Sequence, residues 1–160
     1  MKIRFAYQQK QVIQALRYHF IARSEIKILI ILVNVFALFA AAMFFFKKVS
    51  PVAFLLSSAL WFTLMVSFWF ILPFTIYSRT RTFKDRFDLS FEATGMMLEH
   101  EKGKKWWPYE QFSYVVETPD FFHLYINPQS FFLIPKGAFN DRDATHEARL
   151  LLREKIGMRK

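Results

Sequence analysis

The sequence of 160 residues contains no cysteine and only four glycines. The absence of cysteine excludes disulfide bonds, cysteine-based metal sites and cysteine nucleophiles. With so few glycines the chain has no glycine-rich loop of the kind that binds phosphate, and it has no serine nucleophile elbow. The four histidines are scattered, without the spacing of metal ligands. We therefore predict that the protein is not an enzyme and uses no cofactor.

Charged side chains are absent from two long apolar stretches, Ile28–Phe46 and Val52–Ile76. A helix rises about 1.5 Å per residue, so each stretch is long enough to cross the ~30 Å hydrocarbon core of a bilayer. The loop between them, Lys47–Pro51, is so short that the two helices must be antiparallel neighbours. The sequence thus predicts a transmembrane hairpin over residues 26–77, with spans at about 28–46 and 52–76.

Basic residues stand on the outer side of both stretches, including Arg23 and Lys27 before the first and Arg79 and Arg81 after the second. The loop between the stretches holds only Lys47 and Lys48. Because lysine and arginine concentrate on the cytoplasmic side of a membrane, we expect both termini in the cytoplasm. The same flanking positions account for the net charge of +9 without nucleic acid, for which no binding motif is present.

Asn34 is the one strongly polar side chain deep in the first stretch. A buried amide in lipid needs a hydrogen-bond partner. We favour a hydroxyl of the second helix, from Ser57, Ser58, Thr63 or Ser67, over the Asn34 of a second copy or a substrate. A transporter or channel normally needs more polar and ionisable groups within the membrane. The two stretches are therefore interpreted as an anchor or an oligomerisation element.

Residues 1–25 show two hydrophobic periods. Polar and apolar residues alternate up to Tyr7, which predicts a short strand, and Ile3–Tyr7 could pair with an edge of a sheet in the tail. From Gln8 onward the period is helical, with Val12 and Leu16 on one apolar face. This basic amphipathic helix is expected either to rest on the inner membrane surface or to pack on the tail.

Residues 78–160 have the pattern of a small domain in the α+β class. Short alternating segments are separated by turn sequences such as Thr94-Gly95, and Lys102–Lys105 is interpreted as another turn. Capping residues at Asn140–Asp143 introduce one helix, which Gly157 ends. We expect an antiparallel bent sheet or partial barrel with this single C-terminal helix over one end.

Three stretches of the tail together resemble a known family: Trp107–Phe112, Val115–Ile126 and Phe132–Phe139. From about Phe91 to Arg153 the tail is similar to the C-terminal domain of the YcxB-like bacterial membrane proteins. The resemblance implies two spans before this domain, a fold like that of bacterial pleckstrin-homology (PH) domains, and a place in the bacterial inner membrane. It implies no enzyme activity and supplies no catalytic residues.

A basic segment is followed directly by two tryptophans: Lys102, Lys104, Lys105, Trp106 and Trp107. Lysine attracts anionic headgroups and tryptophan prefers the interface, so these residues are candidates for lipid or partner contact. The competing interpretation is that the tryptophans lie on opposite faces of a strand, so at least one belongs to the core. Lys136 is a further candidate, although a solvated turn or a pair with a nearby carboxylate fits it better.

These features predict a non-enzymatic, membrane-anchored interaction module whose cytoplasmic PH-like tail binds a protein partner or an anionic membrane surface. The expected partners are the lipid bilayer and either a second copy of the chain or another membrane protein. Nucleic acid and small-molecule ligands are not expected. The alternative is a small accessory or immunity-type subunit of a larger membrane complex, recognised through its transmembrane helices.

Overall fold

The computed structural model describes residues 1–159, which fall into two compact units. The hairpin unit comprises Val12–Thr80, and the sheet unit comprises Met1–Gln11 together with the described residues from Arg81 onward. The sheet unit is drawn from both sides of the apolar stretches because its first strand, β1 (Lys2–Ala6), pairs with a strand that follows them. The pairing expected for the N-terminal strand is therefore confirmed.

Two helices in the hairpin unit are long and apolar enough to span a membrane. After α1 (Gln9–Ala22), the first is α2 (Ser24–Phe45). The second runs from Pro51 to Arg79 and consists of α3 (Pro51–Val66), a π-helical turn and α4 (Leu72–Arg79). Ser50 caps it by accepting a hydrogen bond from the Ala53 amide at 3.3 Å, and Pro51 occupies the first turn, where its missing N–H costs no helical hydrogen bond.

The second apolar helix is irregular just before Pro73. Over Ser67–Ile71 it forms the π-helical turn, after which the Leu72 amide donates to the Ser67 carbonyl. Pro73 has no N–H with which to reach the carbonyl of Trp69, four residues back. Arg17 Nε on α1 donates to that carbonyl at 3.0 Å, and the guanidinium lies 4.8 Å from the centroid of the Trp69 ring. Arg17 therefore fastens α1 to the second apolar helix.

The sheet unit contains two antiparallel sheets and one long helix. The first sheet has the order β1, β2 (Arg86–Phe91), β3 (Gly95–His100), β4 (Gly103–Pro108). The second has the order β5 (Tyr114–Glu117), β6 (Phe121–Asn127), β7 (Ser130–Pro135). The helix, α5 (Arg142–Lys155), follows. Two apolar helices, antiparallel sheets and a C-terminal helix confirm the broad fold class.

One apolar core joins both sheets to α5. Its fully buried members include Phe122, Leu124, Ile134, Ala148 and Leu152, and Phe139 also lies within it. Alternation along β6 is interrupted, since every residue from Phe121 to Tyr125 is buried and both faces of the strand are covered. The Tyr7 hydroxyl donates to the Leu133 carbonyl at 2.7 Å, which ties the end of β1 to the second sheet.

The ends of α5 follow their local sequence. The Asp141 carboxylate accepts from the Ala144 amide at 2.7 Å and so caps the first turn. Gly157 lies at φ +93°, the left-handed conformation that glycine adopts without steric cost at a helix end. Both predicted boundaries are confirmed.

The predicted turn at Lys102–Lys105 is wrong in extent. Only Glu101 and Lys102 connect the strands, and β4 begins at Gly103, which pairs with His100. Gly103 has φ +144°, a conformation open to glycine that lets the chain enter the second strand directly. Lys104 and Lys105 are therefore strand residues.

Candidate functional site

The candidate surface lies on β4, an edge strand of the first sheet. Within residues 1–159 no strand pairs with its outer edge, and its first four residues are exposed. The outer edge of β5, in contrast, is covered by the chain that follows α5. The Val115 amide donates to the Gly157 carbonyl at 2.9 Å, and the Arg159 amide donates to the Val115 carbonyl at 2.8 Å. The chain after α5 thus covers one sheet edge, whereas β4 keeps its backbone open to a partner.

The two tryptophans of β4 lie on opposite faces of the strand. Trp107 packs against the core and stacks on Phe112, with ring centroids 5.5 Å apart. Its indole N–H is buried and has no hydrogen-bond partner within the described part of the chain. Trp106 remains 38% exposed on the outer face. The interpretation that at least one tryptophan belongs to the core is confirmed.

A row of charged residues crosses the outer face of the sheet. Register places Arg4, Asp88, Glu99 and Lys104 side by side on the four strands, with the cations on the edges and the carboxylates between them. Arg4 Nε lies 2.6 Å from an Asp88 oxygen, and Lys104 Nζ lies 2.9 Å from Glu99 Oε1. Hydrogen bonds from Arg4 and Lys104 lower the pKa values of Asp88 and Glu99 respectively. Lys104 therefore forms an ion pair with Glu99.

The remaining lysines of this segment lie elsewhere on the strand and its turn. Lys105 is on the same face as Trp107, with Nζ 4.5 Å from the centroid of the Trp107 ring. Lys102 lies in the exposed turn, where its backbone amide donates to His100 Nδ1 at 3.1 Å. The candidate residues thus share an edge strand and a turn, but they do not form a single face.

Register also defines which end of the sheet carries this turn. The last residue of β1, Ala6, is opposite the first residue of β2, Arg86. The β3–β4 turn closes the same end, next to the His100–Gly103 pair. It is the end at which the chain leaves the sheet for the hairpin unit and the end at which it returns.

Lys136 belongs to a different cluster, centred on Glu117. Its Nζ donates to Glu117 Oε1 at 2.5 Å, and Arg149 donates to the same carboxylate through Nε (2.9 Å to Oε2) and Nη2 (2.8 Å to Oε1). The expected pair with a carboxylate is confirmed. The bonds from Arg149, with those from Lys136, lower the pKa of Glu117. With its pKa lowered, Glu117 stays ionised and is poorly suited to act as a general acid. Its hydrogen bonds with Arg149 fasten α5 to the second sheet.

Asn34 finds its partner on the second helix, but not among the hydroxyl groups. Trp61 Nε1 donates to Asn34 Oδ1 at 3.4 Å, while Asn34 Nδ2 donates to the Ile30 carbonyl at 2.8 Å. The hydroxyls of Ser57 and Ser58 both donate to the Phe54 carbonyl of their own helix, at 2.8 and 2.9 Å. The partner predicted from sequence is therefore corrected to Trp61, because a serine satisfies itself within its helix.

A groove of about 420 Å³ lies beside this hydrogen bond within the hairpin unit. Small or polar side chains line much of it: Asn34, Ala37, Ala41, Ser57 and Ser58. Leu38, Phe54 and Trp61 complete the lining. Small side chains allow another helix to approach closely in a membrane, so the groove has the shape and chemistry of a helix-docking surface.

Two contacts of these sites were missed from the sequence. The bidentate pair between Glu117 and Arg149 joins residues on different elements, and no local pattern singles out either one. The second contact joins Arg17 to the Trp69 carbonyl. The sequence indicates only that this carbonyl lacks its helical donor, because a proline lies four residues later. Nothing in the sequence indicates which donor reaches that carbonyl.

Comparison with known proteins identifies part of the sheet unit. The family model described as YcxB-like protein matches residues 108–151. The match runs from the end of β4 into α5, and it contains all three members of the Glu117 cluster. The resemblance inferred from sequence is confirmed for this segment. No curated protein and no solved structure matches the chain.

Proposed function

We propose that the protein is a non-enzymatic, membrane-anchored interaction module, with the hairpin unit as its anchor and the sheet unit as its interaction domain. The observation that carries the proposal is the pairing of β1 with β2. These neighbouring strands are separated in sequence by the whole hairpin unit, so the domain is connected to its anchor by two chain segments at one end of a sheet. Two connections restrict the domain more than a single linker does.

The side chains of the apolar helices support a lipid environment. Neither helix has a buried residue within its most apolar window, and large side chains such as Leu38 and Phe62 are more than half exposed. An apolar surface that extends along two whole helices is unfavourable in water, whereas hydrocarbon accommodates it and the helices satisfy their own backbone groups.

We assign the sheet unit to the PH-like class. A four-stranded and a three-stranded antiparallel sheet followed by one C-terminal helix support the assignment, together with the family match over its second half. We place the protein in the bacterial inner membrane as a multi-pass protein, with both termini and the sheet unit in the cytoplasm. The open edge of β4 supports an interaction with a protein partner or an anionic membrane surface.

The test of this topology uses the absence of cysteine. Single cysteines are introduced at Lys48, in the loop between the apolar helices, and at Ala93, in the β2–β3 turn, both of which are exposed. In intact spheroplasts we expect a membrane-impermeant maleimide to label K48C but to label A93C only after the membrane is broken. Release of the protein at alkaline pH, or labelling of A93C from outside, contradicts the proposal.

The groove beside Asn34 favours a second function, that of an accessory or immunity-type subunit recognised through its helices. Purification in mild detergent then retains a stoichiometric integral-membrane partner. Ala41→Leu fills the groove and should release the partner, while Ala59→Leu adds the same bulk to an exposed position that does not line it. A partner that survives A41L, or is lost equally with A59L, excludes recognition through the groove.

A further inference from the structure

We infer that Arg17 binds the phosphate of a net anionic lipid headgroup, at the end of the hairpin unit opposite its loop. We call this place the Arg17 site and define it as Arg17 with the side chains of Trp69 and Phe70. The inference deepens the proposed function and rests on it, since it requires the hairpin unit to span a membrane. It assigns a ligand class to the anchor itself.

The guanidinium of Arg17 keeps most of its donors free of protein. Its Nε donates to the Trp69 carbonyl at 3.0 Å, and its central carbon lies 4.8 Å from the centroid of the Trp69 ring and 5.5 Å from that of Phe70. Within residues 1–159 the N–H groups of its two terminal nitrogens have no protein acceptor. Those groups form the planar fork that binds a phosphate through two parallel hydrogen bonds.

The protein does not neutralise the charge of Arg17. No carboxylate of the described residues lies within 4.0 Å of its guanidinium, whereas Arg23 Nε lies 3.8 Å from a Glu25 oxygen. A guanidinium at the edge of a hydrocarbon core is costly unless an anion accompanies it. The counter-charge therefore has to come from outside the chain, and a headgroup phosphate is the anion that a bilayer supplies there.

Helix geometry places the site at the level of the headgroups. The stretch from Pro51, where the second apolar helix begins, to Trp69 is about 27 Å long at 1.5 Å per residue. Since the hydrocarbon core is ~30 Å thick, a helix that enters it at the loop leaves it near Trp69. On the first apolar helix Lys27 lies at the same distance from Phe45, so a second exposed cation stands at this depth.

The two rings favour a lipid over a dissolved phosphate ion. Trp69 is 47% exposed and Phe70 is 58% exposed, although both border the guanidinium. Indole rings prefer the membrane interface, and the exposed phenyl ring can contact acyl chains, which an inorganic ion lacks. With no carboxylate within 4.0 Å of Arg17 to hold an ammonium group, in the part of the chain described, we expect phosphatidylglycerol rather than a zwitterionic lipid. The rival occupant is an acidic side chain of another membrane protein.

The first experiment counts the lipids that the full chain retains. The protein is purified in mild detergent, equilibrated with phosphatidylglycerol or phosphatidylethanolamine, and measured by native mass spectrometry. We expect wild type to retain phosphatidylglycerol, and Arg17→Gln to retain it about tenfold less. Arg142→Gln makes the same change at an exposed position of α5 and should match wild type. Arg17→Lys keeps the charge but not the fork, so its retention should be intermediate.

A second experiment separates lipid binding from the structural role of the arginine. Arg17 also fastens α1 to the second apolar helix, so Arg17→Gln alone removes both contacts. Pro73→Ala restores an N–H for the Trp69 carbonyl and makes the fastening independent of Arg17. In that background, phosphatidylglycerol should raise the thermal unfolding midpoint when Arg17 is present and should leave it unchanged in Arg17→Gln. An arginine with a structural role alone would alter the midpoint but not its response to lipid.

Four outcomes overturn the inference. The first is an equal response to phosphatidylglycerol with and without Arg17 in the Pro73→Ala background, and the second is equal retention of phosphatidylethanolamine. The third is displacement of the lipid by millimolar inorganic phosphate, which assigns the site to a dissolved anion. The fourth is a co-purified membrane protein that is lost only in Arg17→Gln, which assigns the site to an acidic partner. Labelling of K48C tests the span separately, so failure of the inference is distinguishable from failure of the proposed function.

Discussion

The contact between Arg17 and the Trp69 carbonyl leads to a prediction with a built-in control. Pro73 leaves this carbonyl without its normal helical donor, and Arg17 Nε occupies the position at 3.0 Å. If Arg17 stabilises the protein through this carbonyl, its contribution to the free energy of unfolding should depend on Pro73. Replacing Pro73 with alanine restores an N–H that can bond to Trp69, which makes Arg17 largely redundant.

The expected size follows from the contacts. A hydrogen bond from a charged group contributes about 1.5–3 kcal/mol, and a partly exposed cation–π contact adds about 0.5–1 kcal/mol. Since Arg17 is half-buried, we expect Arg17→Ala to lower the free energy of unfolding by about 2 kcal/mol. In the Pro73→Ala background the same change should cost about 0.5 kcal/mol, a coupling of roughly 1.5 kcal/mol.

The assay is equilibrium unfolding of the four proteins of the cycle in mixed detergent micelles, followed by far-ultraviolet circular dichroism. Lys10→Ala removes one positive charge from an exposed position of the same helix and should have little effect. Equal costs of Arg17→Ala with and without Pro73 would refute the reasoning, because the arginine would then act independently of the freed carbonyl.

Two other predictions concern the sheet unit. Glu117→Gln should lower stability by about 1–2 kcal/mol at neutral pH, because two cations lose their anion. The pKa of Glu117 is lowered in the folded state, so its contribution is present above the unfolded pKa of about 4.5 and is lost as pH falls through the folded value. Thermal unfolding from pH 7 to pH 3 should therefore bring wild type and E117Q together, and a constant difference would contradict this. Gly95→Ala should cost about 1–3 kcal/mol, since its Cβ would meet the Trp107 carbonyl at 2.6 Å and Trp106 Cζ2 at 2.7 Å. Gly137→Ala, whose Cβ meets nothing within 4 Å, is the control in the same denaturant titration, and equal losses for both variants would exclude the steric reason.

The proposed arrangement gives the β1–β2 pairing a functional consequence. The hairpin unit is inserted between two paired strands of the sheet unit, so one chain segment after β1 and another before β2 join the two units, which restricts the domain more than a single linker does.

Local features of this protein could be predicted from the sequence because their causes lie within a few neighbouring residues. The apolar helices follow from length and the absence of charge, and the start of the second follows from Ser50 and Pro51. The limits of α5 follow from Asp141 and Gly157 in the same way. In each case the backbone groups that need a partner and the residues that supply one are adjacent in the chain.

Partners distant in sequence were decided only by the tertiary structure. The sequence offered several chemically equivalent hydroxyls as partners for Asn34, and the packing of the two helices places Trp61 there instead. Glu117 and Arg149 meet because α5 packs over the second sheet. Lys104 faces Glu99 because β4 begins at Gly103, three residues earlier than the predicted turn allowed. A periodic pattern defines which face of an element is apolar, but the register and packing of two elements determine which side chains on those faces touch.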